Sequence, residues 1–356
     1  MRRGRQRRGA FLQMTVALLY PRVDPGAPAD EQDILVQVDA VRGSLAALGH
    51  RTVDIPVTLD LEAVAGALAA AAPAAAFNLV ETIDGKGSLI HLVPTLLASR
   101  GIPFTGAPCE AIVLTSHKLL AKKIFAAEGI PTPRWATAAD ALARGIPVPP
   151  AWIVKSVWEH ASIGLEDSSV VRGKAELAAE LARRTGREAM EQLFVEEFID
   201  GREFNLGLLA AETPGAAEPE SLPPAEIQFV DYPPDKPRMV GYRAKWAEGS
   251  FEYTATPRRF DFPAADRPLL AELVRLSREC WRVFSLRGYA RVDFRVDGAG
   301  RPWVLEINTN PCLAPDAGFM AAAARAGLTL RDVVRRITAD AAIARAACRD
   351  REEHSA

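Results

Sequence analysis

The stretch GYARVDFRVDGAGRPWVLEIN, residues 288–308, contains two runs of alternating side chains around a turn-forming DGAG segment. Successive side chains of a β-strand point to opposite faces, so the first run places Arg291, Asp293 and Arg295 on one face and apolar residues on the other. A DG turn between two alternating runs favours a hairpin. The stretch therefore predicts a β-hairpin with one charged face.

The second strand of this hairpin ends in a carboxylate and an amide, Glu306 and Asn308, which alternation places on one face with Val304. With the turn centred on DGAG, Arg291 lies directly opposite Glu306, and Asp293 lies diagonal to it. We therefore expect two carboxylates, an amide and an arginine to meet on one patch of the sheet.

Hard oxygen ligands of this kind, on Asp293, Glu306 and Asn308, suit Mg²⁺ or Mn²⁺ better than zinc. An arginine beside such a metal, here Arg291, can stabilise a developing negative charge. The alternative is a salt-bridged, half-exposed sheet face that binds no ligand.

The composition of the chain fits a multidomain α/β protein. It has 356 residues, of which 49% are hydrophobic, enough for a sizeable buried core. Its 43 basic residues nearly balance its 45 acidic residues, so the overall charge does not point to nucleic acid or to an anionic membrane. No apolar run approaches the roughly 18 residues of a membrane-spanning helix.

The cysteine pattern indicates a reducing compartment, and we therefore expect a cytoplasmic protein. The cysteines form no CxxC pair, which argues against a zinc site or a disulfide framework. They are Cys109, Cys280, Cys312 and Cys348.

The first 14 residues, MRRGRQRRGAFLQM, carry five arginines in their first eight positions. This segment imitates a signal peptide, but the apolar run behind it is short and ends at Pro21. We interpret residues 1–14 as a disordered basic leader, with Met14 as an alternative start of translation.

Strand and helix patterns alternate in the first third of the chain. Apolar strand patterns at 15–20, RTVDIPV and AAFNLV are separated by helical patterns at 30–48 and 61–72, and a helix at 87–100 leads to a short strand, IPFTG. This alternation predicts a parallel sheet with crossover helices. Functional loops of such sheets follow the strands, so NLVETIDGKG is a candidate substrate loop.

The pattern changes from about residue 115. Helices are predicted at 117–128, 175–185, 266–285 and 328–347, with strands in AWIVKSV and LFVEEFI. The DG pair at 200–201 predicts a hairpin between LFVEEFI and REFNLGLLA. Residues 211–226, rich in Pro, Ala and Glu, predict a loose surface insertion.

Two lysines and a hydroxyl-containing loop form a candidate phosphate site. Lys155 ends the strand AWIVK just before a loop with Ser156, Ser162 and Gly164, and such a lysine can hold a polyphosphate. Lys118, near the start of a helix, is a second candidate. The alternative for each lysine is a solvated surface position.

The segment VEEFIDGREF places two glutamates, Glu196 and Glu203, on either side of an apolar hinge. Their oxygens could accept hydrogen bonds from an adenine amino group or from ribose hydroxyls. The alternative is a surface strand with ordinary charges.

In this order the segments resemble the ATP-grasp ligases, and among them the D-alanine–D-alanine ligase family. The likeness covers about residues 75–340 and is carried by GIPFTG, HKLLAKKIFAAEGIPTPRW, WIVKS, VEEFIDGREFNLGLL, YRAKW, GYARVDF and VLEINTNPCLAPDAGF. It implies an α/β, three-domain ATP-grasp fold, with an N-terminal parallel α/β domain, a small central α+β domain that clamps ATP, and a C-terminal α+β domain. We expect these at residues 15–114, 115–205 and 206–347, between a leader at 1–14 and a tail at 348–356.

The resemblance also implies a reaction and its residues. A carboxylate attacks the γ-phosphate of ATP to form an acyl phosphate, and an amine then attacks the acyl carbon to form an amide. The implied cofactors are ATP and Mg²⁺ or Mn²⁺, whose charge neutralises the transferring phosphoryl group. By position, the resemblance implies that ATP is bound by Lys118, Lys155, Ser162, Glu196, Phe198, Ile199 and Glu203. It implies that the metal is bound by Asp293, Glu306 and Asn308. The implied catalytic residues are Arg291 and Lys245, the latter in a lid.

Both substrate ends depart from the family pattern. VETIDGKG, with Glu81 and Asp84, replaces the usual His-Gly and Gly-Glu-Asp-Gly motifs, and the glutamate that usually follows the first strand has no clear match. Cys312 begins a Cys-Leu pair that replaces Gly-Met, and Asp316 lies near the expected second-substrate site. These four residues are the substrate-binding candidates. We interpret Cys312 as a small loop residue whose backbone N–H serves an oxyanion, not as a nucleophile.

The sequence therefore predicts an ATP-dependent carboxylate–amine ligase that acts on small molecules, without nucleic-acid or membrane partners. The altered loop VETIDGKG argues against synthesis of D-alanyl-D-alanine itself. The alternative is a non-catalytic nucleotide-binding protein with the same fold, which a missing metal ligand would favour; none is missing. For the oligomeric state, the resemblance implies a possible homodimer.

Overall fold

The computed structural model describes residues 13–27, 29–147, 150–159, 162–186, 188–213 and 215–353, with the backbone alone for 29–31 and 342–353. Residues 1–12 of the predicted leader and 354–356 of the predicted tail lie outside the described residues. Among the helices of these ranges, none is both long and apolar enough to cross a membrane.

The described chain alternates between helices and strands. The strands are β1 (Thr15–Pro21), β2 (Arg51–Val57), β3 (Ala75–Asn78), β4 (Trp135–Thr137), β5 (Trp152–Ser156), β6 (Val170–Val171), β7 (Leu193–Glu197), β8 (Arg202–Leu209), β9 (Glu220–Ser221), β10 (Ala225–Ile227), β11 (Arg258–Arg259), β12 (Tyr289–Val296) and β13 (Pro302–Asn308). The helices are α1 (Ala29–Ala47), α2 (Leu61–Ala71), α3 (Leu92–Ser99), α4 (Cys109–Ser116), α5 (Lys118–Ala127), α6 (Ala138–Arg144), α7 (Lys174–Thr185), α8 (Tyr242–Trp246), α9 (Phe251–Thr254), α10 (Arg267–Val283), α11 (Gly318–Arg325) and α12 (Leu330–Glu353).

The N-terminal sheet is parallel, as predicted, with the order β2-β1-β3. Its central strand is buried on both faces: Leu18 packs in a core with α1 and α12, and Leu19 in a second core with α2 and α3. A strand covered on both faces needs a continuous apolar run, which TVALLY supplies. The predicted fourth strand, IPFTG, is reduced to one bridge between Phe104 and Ala76.

The remaining strands form two antiparallel sheets. The smaller sheet has the order β4-β7-β5-β6, and the larger has the order β11-β10-β8-β12-β13 with β9 beside β8. α10 packs on the larger sheet through Leu273, Leu276 and Cys280, which are fully buried. These two sheets carry most of the predicted site residues.

The predicted hairpin across residues 200–201 is wrong, because β7 and β8 belong to different sheets. β8 pairs along its whole length with β12, whereas β7 lies between β4 and β5. At the crossing, a Cβ on Gly201 would lie 2.0 Å from the carbonyl oxygen of Val296. Glycine is required there because the chain passes directly against the backbone of the larger sheet.

The hairpin of β12 and β13 forms as predicted, but a β-bulge changes its register. One extra residue, Leu305, follows the pair between Phe294 and Val304, so Asp293 lies directly opposite Glu306. The predicted register, with Arg291 opposite Glu306, is therefore wrong. The predicted shared face of Val304 and Glu306 is also wrong, since Val304 is fully buried in the core.

Two other segments are more regular than predicted. Residues 211–226 include β9 and the start of β10, and Leu222 and Ala225 are buried, so this segment is anchored to the larger sheet. The last helix, α12, continues to Glu353, past its predicted end at residue 347. A short helix that was not predicted, α4, precedes α5.

Candidate active site

One face of the larger sheet carries a row of polar side chains from three neighbouring strands. Between β8 and β12, Glu203 lies opposite Arg295 and Asn205 lies opposite Asp293. From β13, Glu306 faces Asp293 on its other side. The opposite face of these strands is apolar and buried in the core. Strand alternation therefore brings the whole row to one surface.

The centre of this row is an ion pair between Arg291 and Asp293. Nε and Nη2 of Arg291 donate to the two carboxylate oxygens of Asp293, each at 2.7 Å, and Asn205 Nδ2 donates to Oδ1 at 2.7 Å. Burial alone would lower the pKa of Arg291, but the carboxylates of Asp293, Glu306 and Glu81 raise it. Arg291 therefore stays cationic beside the carboxylates.

The smaller sheet and α5 bring three lysines to two glutamates. On β5, Lys155 Nζ lies 2.7 Å from Oε1 of Glu196 on β7, and Lys122 on α5 pairs with Oε2 of the same glutamate. Lys118, at the start of α5, lies 3.5 Å from Oε2 of Glu306 on β13. Lys118 thus connects the lysine group to the row on the larger sheet.

Glu196 and Lys122 are each only 1% exposed, so their ion pair is enclosed by protein. Burial raises the pKa of Glu196, but the two lysines outweigh burial and lower it. Lys122 Nζ also donates to Thr132 Oγ1 at 2.8 Å, and that hydroxyl donates to the Val304 carbonyl at 2.8 Å. Both carboxylate oxygens of Glu196 already contact lysines, and its predicted role toward adenine stays a prediction.

The predicted nucleoside hinge follows β7. The backbone N–H of Phe198 donates to the Ala151 carbonyl at 2.8 Å, and the Ile199 carbonyl accepts from Arg295 Nε at 2.8 Å. Arg295 Nη1 donates to Glu203 Oε2 at 2.9 Å. Burial raises the pKa of Glu203, and the charge of Arg295 acts against that rise. The structure therefore brings the hinge and Glu203 together around one arginine.

Lys245 and Ser162 lie on two segments that contact each other, and Lys245 is near the charges of Arg291, Asp293 and Glu306. Lys245 is on the short helix α8, and burial, together with the nearby charge of Arg291, lowers its pKa. Ser162 has a positive φ of 62°, and its hydroxyl donates to the Val240 carbonyl at 2.7 Å, just before α8. The Ser162 hydroxyl is thus used to join the two segments in this conformation.

A second group of side chains approaches Arg291 from the N-terminal part of the chain. Glu81 follows β3, and burial raises its pKa to about 7 although a hydrogen bond from Gln37 of α1 and the charge of Arg291 lower it. Gln37 Oε1 also accepts from the backbone N–H of Leu313. Glu81 lines a small cavity together with Asn308. These contacts place α1 and two loops beside the row.

Cys312 belongs to the same group. Its thiol donates to Asp33 Oδ2 at 3.6 Å, and its sulfur accepts from the backbone N–H of Ala314 at 3.4 Å. Burial and the neighbouring charge of Glu81 raise the pKa of the Cys312 thiol well above its ordinary value. A protonated thiol is a poor nucleophile, which supports the interpretation of Cys312 as a loop residue.

The two other predicted substrate carboxylates are exposed. Asp84 has a φ of 54° and pairs with Lys86 at 3.4 Å in a surface turn. Asp316 accepts a hydrogen bond from Arg258 Nη1 through its backbone carbonyl at 3.2 Å. The described contacts do not connect the carboxylate of Asp84 or of Asp316 to the polar row.

The chemistry of the predicted metal ligands fits a hard divalent cation. Asp293, Glu306 and Asn308 offer two carboxylates and an amide oxygen at the end of one hairpin, and such donors suit Mg²⁺ or Mn²⁺. Across the part of the chain that the structure describes, no group of three or more His, Cys, Asp or Glu side chains is placed to hold a metal. A cation here would therefore also depend on the amide and on oxygens from a ligand.

Several residues of the site were not assigned to it from the sequence. Asn205 and Arg295 could have been found, because each is two positions from a predicted residue on the same strand face. Lys122 shares a helix face with Lys118, four positions earlier. The sequence offered no sign that α1 would lie here. The unassigned residues are Asp33, Gln37, Lys122, Asn205 and Arg295.

Comparison with known proteins places this geometry in a family. A family model described as the D-ala D-ala ligase C-terminus matches residues 143–339. A D-alanine–D-alanine ligase from Synechococcus sp. (strain JA-3-3Ab) is 32% identical over 331 residues, which cover 89% of this chain and 91% of the relative. The uncharacterized protein y4sG of Sinorhizobium fredii is 33% identical over 260 residues, 70% of this chain and 69% of that protein.

Solved structures agree on the fold. The D-alanine–D-alanine ligase from Bacillus anthracis complexed with ATP aligns with a TM-score of 0.69 at 19% identity, over 93% of this chain and 98% of that one. The enzyme from Coxiella burnetii aligns with a TM-score of 0.67 at 15% identity, over 96% and 97%. The predicted α/β ATP-grasp fold is confirmed. The chain belongs to the D-alanine–D-alanine ligase-like family of the ATP-grasp superfamily and is an ATP-dependent ligase.

Proposed function

We propose that the chain joins a small carboxylic acid to an amine through an acyl phosphate, and that at least one of these substrates is not D-alanine. The observation that carries the proposal is the order of charged residues along β12. Arg295 lies at the hinge, Asp293 among the carboxylates, and Arg291 beside Glu81. Residues on one strand face are about 6–7 Å apart, so this order matches the sequence of nucleoside, phosphates and acyl group.

The nucleotide end of the proposal uses residues from both antiparallel sheets. The hinge at Phe198 and Ile199 receives the purine, and Glu203 receives the ribose. Lys118 and Lys155 supply positive charge to the phosphates: Lys118 lies beside Glu306 of the polar row, and Lys155 shares Glu196 with Lys122. Lys245 on α8 adds a third cation from above the row.

Asp293, Glu306 and Asn308 would hold Mg²⁺ or Mn²⁺, which would neutralise charge on the phosphates. Arg291 stabilises the negative charge that develops at the acyl centre, first on the acyl phosphate and then on the tetrahedral intermediate. A carboxylate oxygen of the acid bonds to the γ-phosphorus as ADP leaves. The amine nitrogen then bonds to the acyl carbon as phosphate leaves.

We assign Glu81 to the binding of the amine. Its pKa of about 7 lets it exist both protonated and ionised near neutral pH, which suits a group that holds an ammonium or takes up its proton. Glu81 accepts a hydrogen bond from Gln37 and lies near the charge of Arg291. A substrate other than D-alanine is supported by the departures from the family pattern at Glu81 and at Cys312.

A phosphate-release assay tests this proposal. Purified protein with ATP and Mg²⁺ is incubated with pools of D- and L-amino acids, dipeptides and polyamines, and active pools are analysed by mass spectrometry. We expect phosphate release only when a suitable substrate pool is added, together with a product formed by condensation of two compounds of that pool. Efficient synthesis of D-alanyl-D-alanine as the best reaction would contradict the altered specificity. Tight ATP binding without turnover in any pool would favour the non-catalytic alternative.

The arrangement of sheets supports a division of the chain into three domains. We propose boundaries close to the predicted ones, with the second moved from residue 205 to Gly201, because β8 lies wholly in the larger sheet. We also propose a cytoplasmic location, where ATP is available and free thiols stay reduced, and a homodimer. Light scattering coupled to size-exclusion chromatography measures the oligomeric state directly.

A further inference from the structure

Arg295 is a buried arginine whose hydrogen-bonding capacity is only partly used. The residue is 4% exposed. Its Nε donates to the Ile199 carbonyl at 2.8 Å, and its Nη1 donates to Glu203 at 2.9 Å. Nη2 is enclosed and has no hydrogen-bond partner among the residues that the structure describes. Buried polar groups nearly always have a hydrogen-bond partner, so we expect a bound ligand to accept a hydrogen bond from this nitrogen.

The surroundings of the guanidinium are aromatic. Its central carbon lies 5.6 Å from the ring centre of Phe198 and 5.6 Å from that of Phe229. Cation–π contacts with these rings stabilise the charge of Arg295 but do not satisfy an N–H in the plane of the guanidinium. The aromatic rings therefore explain why the cation is tolerated and leave the free donor unexplained.

The partners that Arg295 does use are residues that the proposed function assigns to the nucleoside. Ile199 belongs to the hinge proposed for the purine, and Glu203 is proposed for the ribose. Arg295 is directly opposite Glu203 in the register of β8 and β12. A ligand that contacts both the hinge and Glu203 would lie against the guanidinium. Ribose hydroxyls and the ring nitrogens of a purine are acceptors of the required kind.

We propose that Arg295 is a nucleoside-binding residue, whose Nη2 donates a hydrogen bond to a ribose hydroxyl or to N3 or N7 of the purine. Nη1 meanwhile holds Glu203 for its own contact with the sugar. Arg295 would thus set both affinity and selectivity for the nucleoside without touching the phosphates. The inference rests on the proposed nucleotide site, but it does not depend on which acid and amine are joined.

Calorimetric titration of nucleotides into the full-length protein tests the inference without any turnover. We compare wild type with Arg295→Gln, Arg295→Lys and the control Arg301→Gln, which removes an exposed arginine of the same hairpin. We expect the dissociation constant for ATP to rise about ten- to a hundredfold in Arg295→Gln, as for loss of a hydrogen bond from a charged group. Arg301→Gln should leave it unchanged. Arg295→Lys keeps the positive charge beside Glu203, so this variant replaces Arg295→Gln in the titrations if the glutamine variant does not fold.

Nucleotide analogues separate direct contact from a structural role. The series is 2′-deoxy-ATP, 3′-deoxy-ATP, 3-deaza-ATP and 7-deaza-ATP. We expect one analogue to bind wild type more weakly than ATP and to bind the Arg295 variants as well as ATP does, because the variants no longer make the missing contact. Equal losses for ATP and all four analogues would overturn the inference in favour of a structural role, and so would an unchanged dissociation constant.

The inference and the proposed function can fail separately. Wild type that binds ATP but forms no amide would refute the proposed ligase reaction, while the titrations of the Arg295 variants would still decide the role of Arg295. Wild type that forms an amide, with Arg295→Gln binding ATP normally, would refute the inference alone. Wild type that binds no nucleotide would refute both.

Discussion

The nucleotide half and the acceptor half of the site are built in different ways. The nucleotide half comprises the polar row on β8, β12 and β13 and the lysine group of α5 and β5, so most of its side chains are fixed by strand pairing. The acceptor half comprises Asp33, Gln37, Glu81 and Cys312, which lie on α1 and on two loops. Strands hold the groups that we propose for phosphoryl transfer, while a helix and loops hold the groups that we propose for binding the substrates to be joined.

This difference predicts how the two halves respond to substitution. Changes in the nucleotide half should impair chemistry or folding for any substrate. Changes in the acceptor half should shift pH dependence and specificity with smaller losses. The following substitutions test that contrast in order of decreasing effect.

Glu306→Gln should have the largest effect. It removes one carboxylate from the predicted metal ligands, and loss of metal charge stabilisation is expected to lower turnover about 10³-fold. ATP binding measured without a divalent cation should change only a few-fold. Steady-state kinetics and titration calorimetry check both values, with Glu279→Gln on the outer helix α10 as control. Near-normal turnover in Glu306→Gln would contradict the assignment of Glu306 as a metal ligand in the nucleotide half.

Lys122→Met should mainly cost stability. It leaves the buried Glu196 with one of its two lysines, and breaking a buried ion pair destabilises a protein by about 3 kcal/mol or more. Urea denaturation measures this loss. Lys123→Met, the neighbouring exposed lysine on α5, is the matched control and should stay within about 0.5 kcal/mol of wild type. Equal stabilities for the two variants would show that the pair is not structural.

Glu81→Gln tests the acceptor half through pH. Burial raises the pKa of Glu81 from 4.5 to about 7, so the folded protein holds this proton more tightly than the unfolded chain. Wild type therefore loses stability through this group as pH rises from about 4.5 to about 7. The Glu81→Gln variant has no titrating group at this position, so it does not lose stability in this way as pH rises.

Melting temperatures across this range measure the effect. A rise in pKa from 4.5 to about 7 corresponds to about 3 kcal/mol of stability. The difference in melting temperature between Glu81→Gln and wild type should therefore change by roughly 4 °C in favour of the variant as pH rises. The exposed Glu110→Gln should show no such trend. A difference that is constant with pH would contradict the raised pKa of Glu81.

Cys312→Ser should have the smallest effect. A hydroxyl can replace the thiol in its hydrogen bond to Asp33, so turnover should fall less than about fivefold, the scale of one ordinary hydrogen bond. Loss of a true nucleophile would lower it on the order of 10⁶-fold. Initial rates distinguish these outcomes, and complete inactivation by Cys312→Ser would restore the nucleophile interpretation.

The contrast between the halves also explains what the sequence could predict. Period-two alternation in RVDFRV identified the charged face of β12, and a continuous apolar run identified the buried strand β1. Both follow from rules that act within one element. The residues of the nucleotide half that were not assigned, such as Asn205, lie on the same face and obey the same rule.

Other features depend on contacts between distant segments, which local patterns do not encode. The bulge at Leu305 changes which residues face each other without changing the character of the strand. Gly201 is part of a typical turn pair, yet the chain passes there from the smaller sheet to the larger one. The reason is that β8 pairs with β12, about 90 residues later in the sequence. Asp33 and Gln37 join the site only because α1 packs beside the loop after β13.

The central claim is that the carboxylate of the acid substrate attacks ATP to form an acyl phosphate. Transfer of ¹⁸O tests this claim most directly, with the acid found by the pool assay labelled in both carboxylate oxygens. Mass spectrometry of the released phosphate should show one ¹⁸O atom for each amide formed. Amide formation that leaves the phosphate unlabelled would contradict the account.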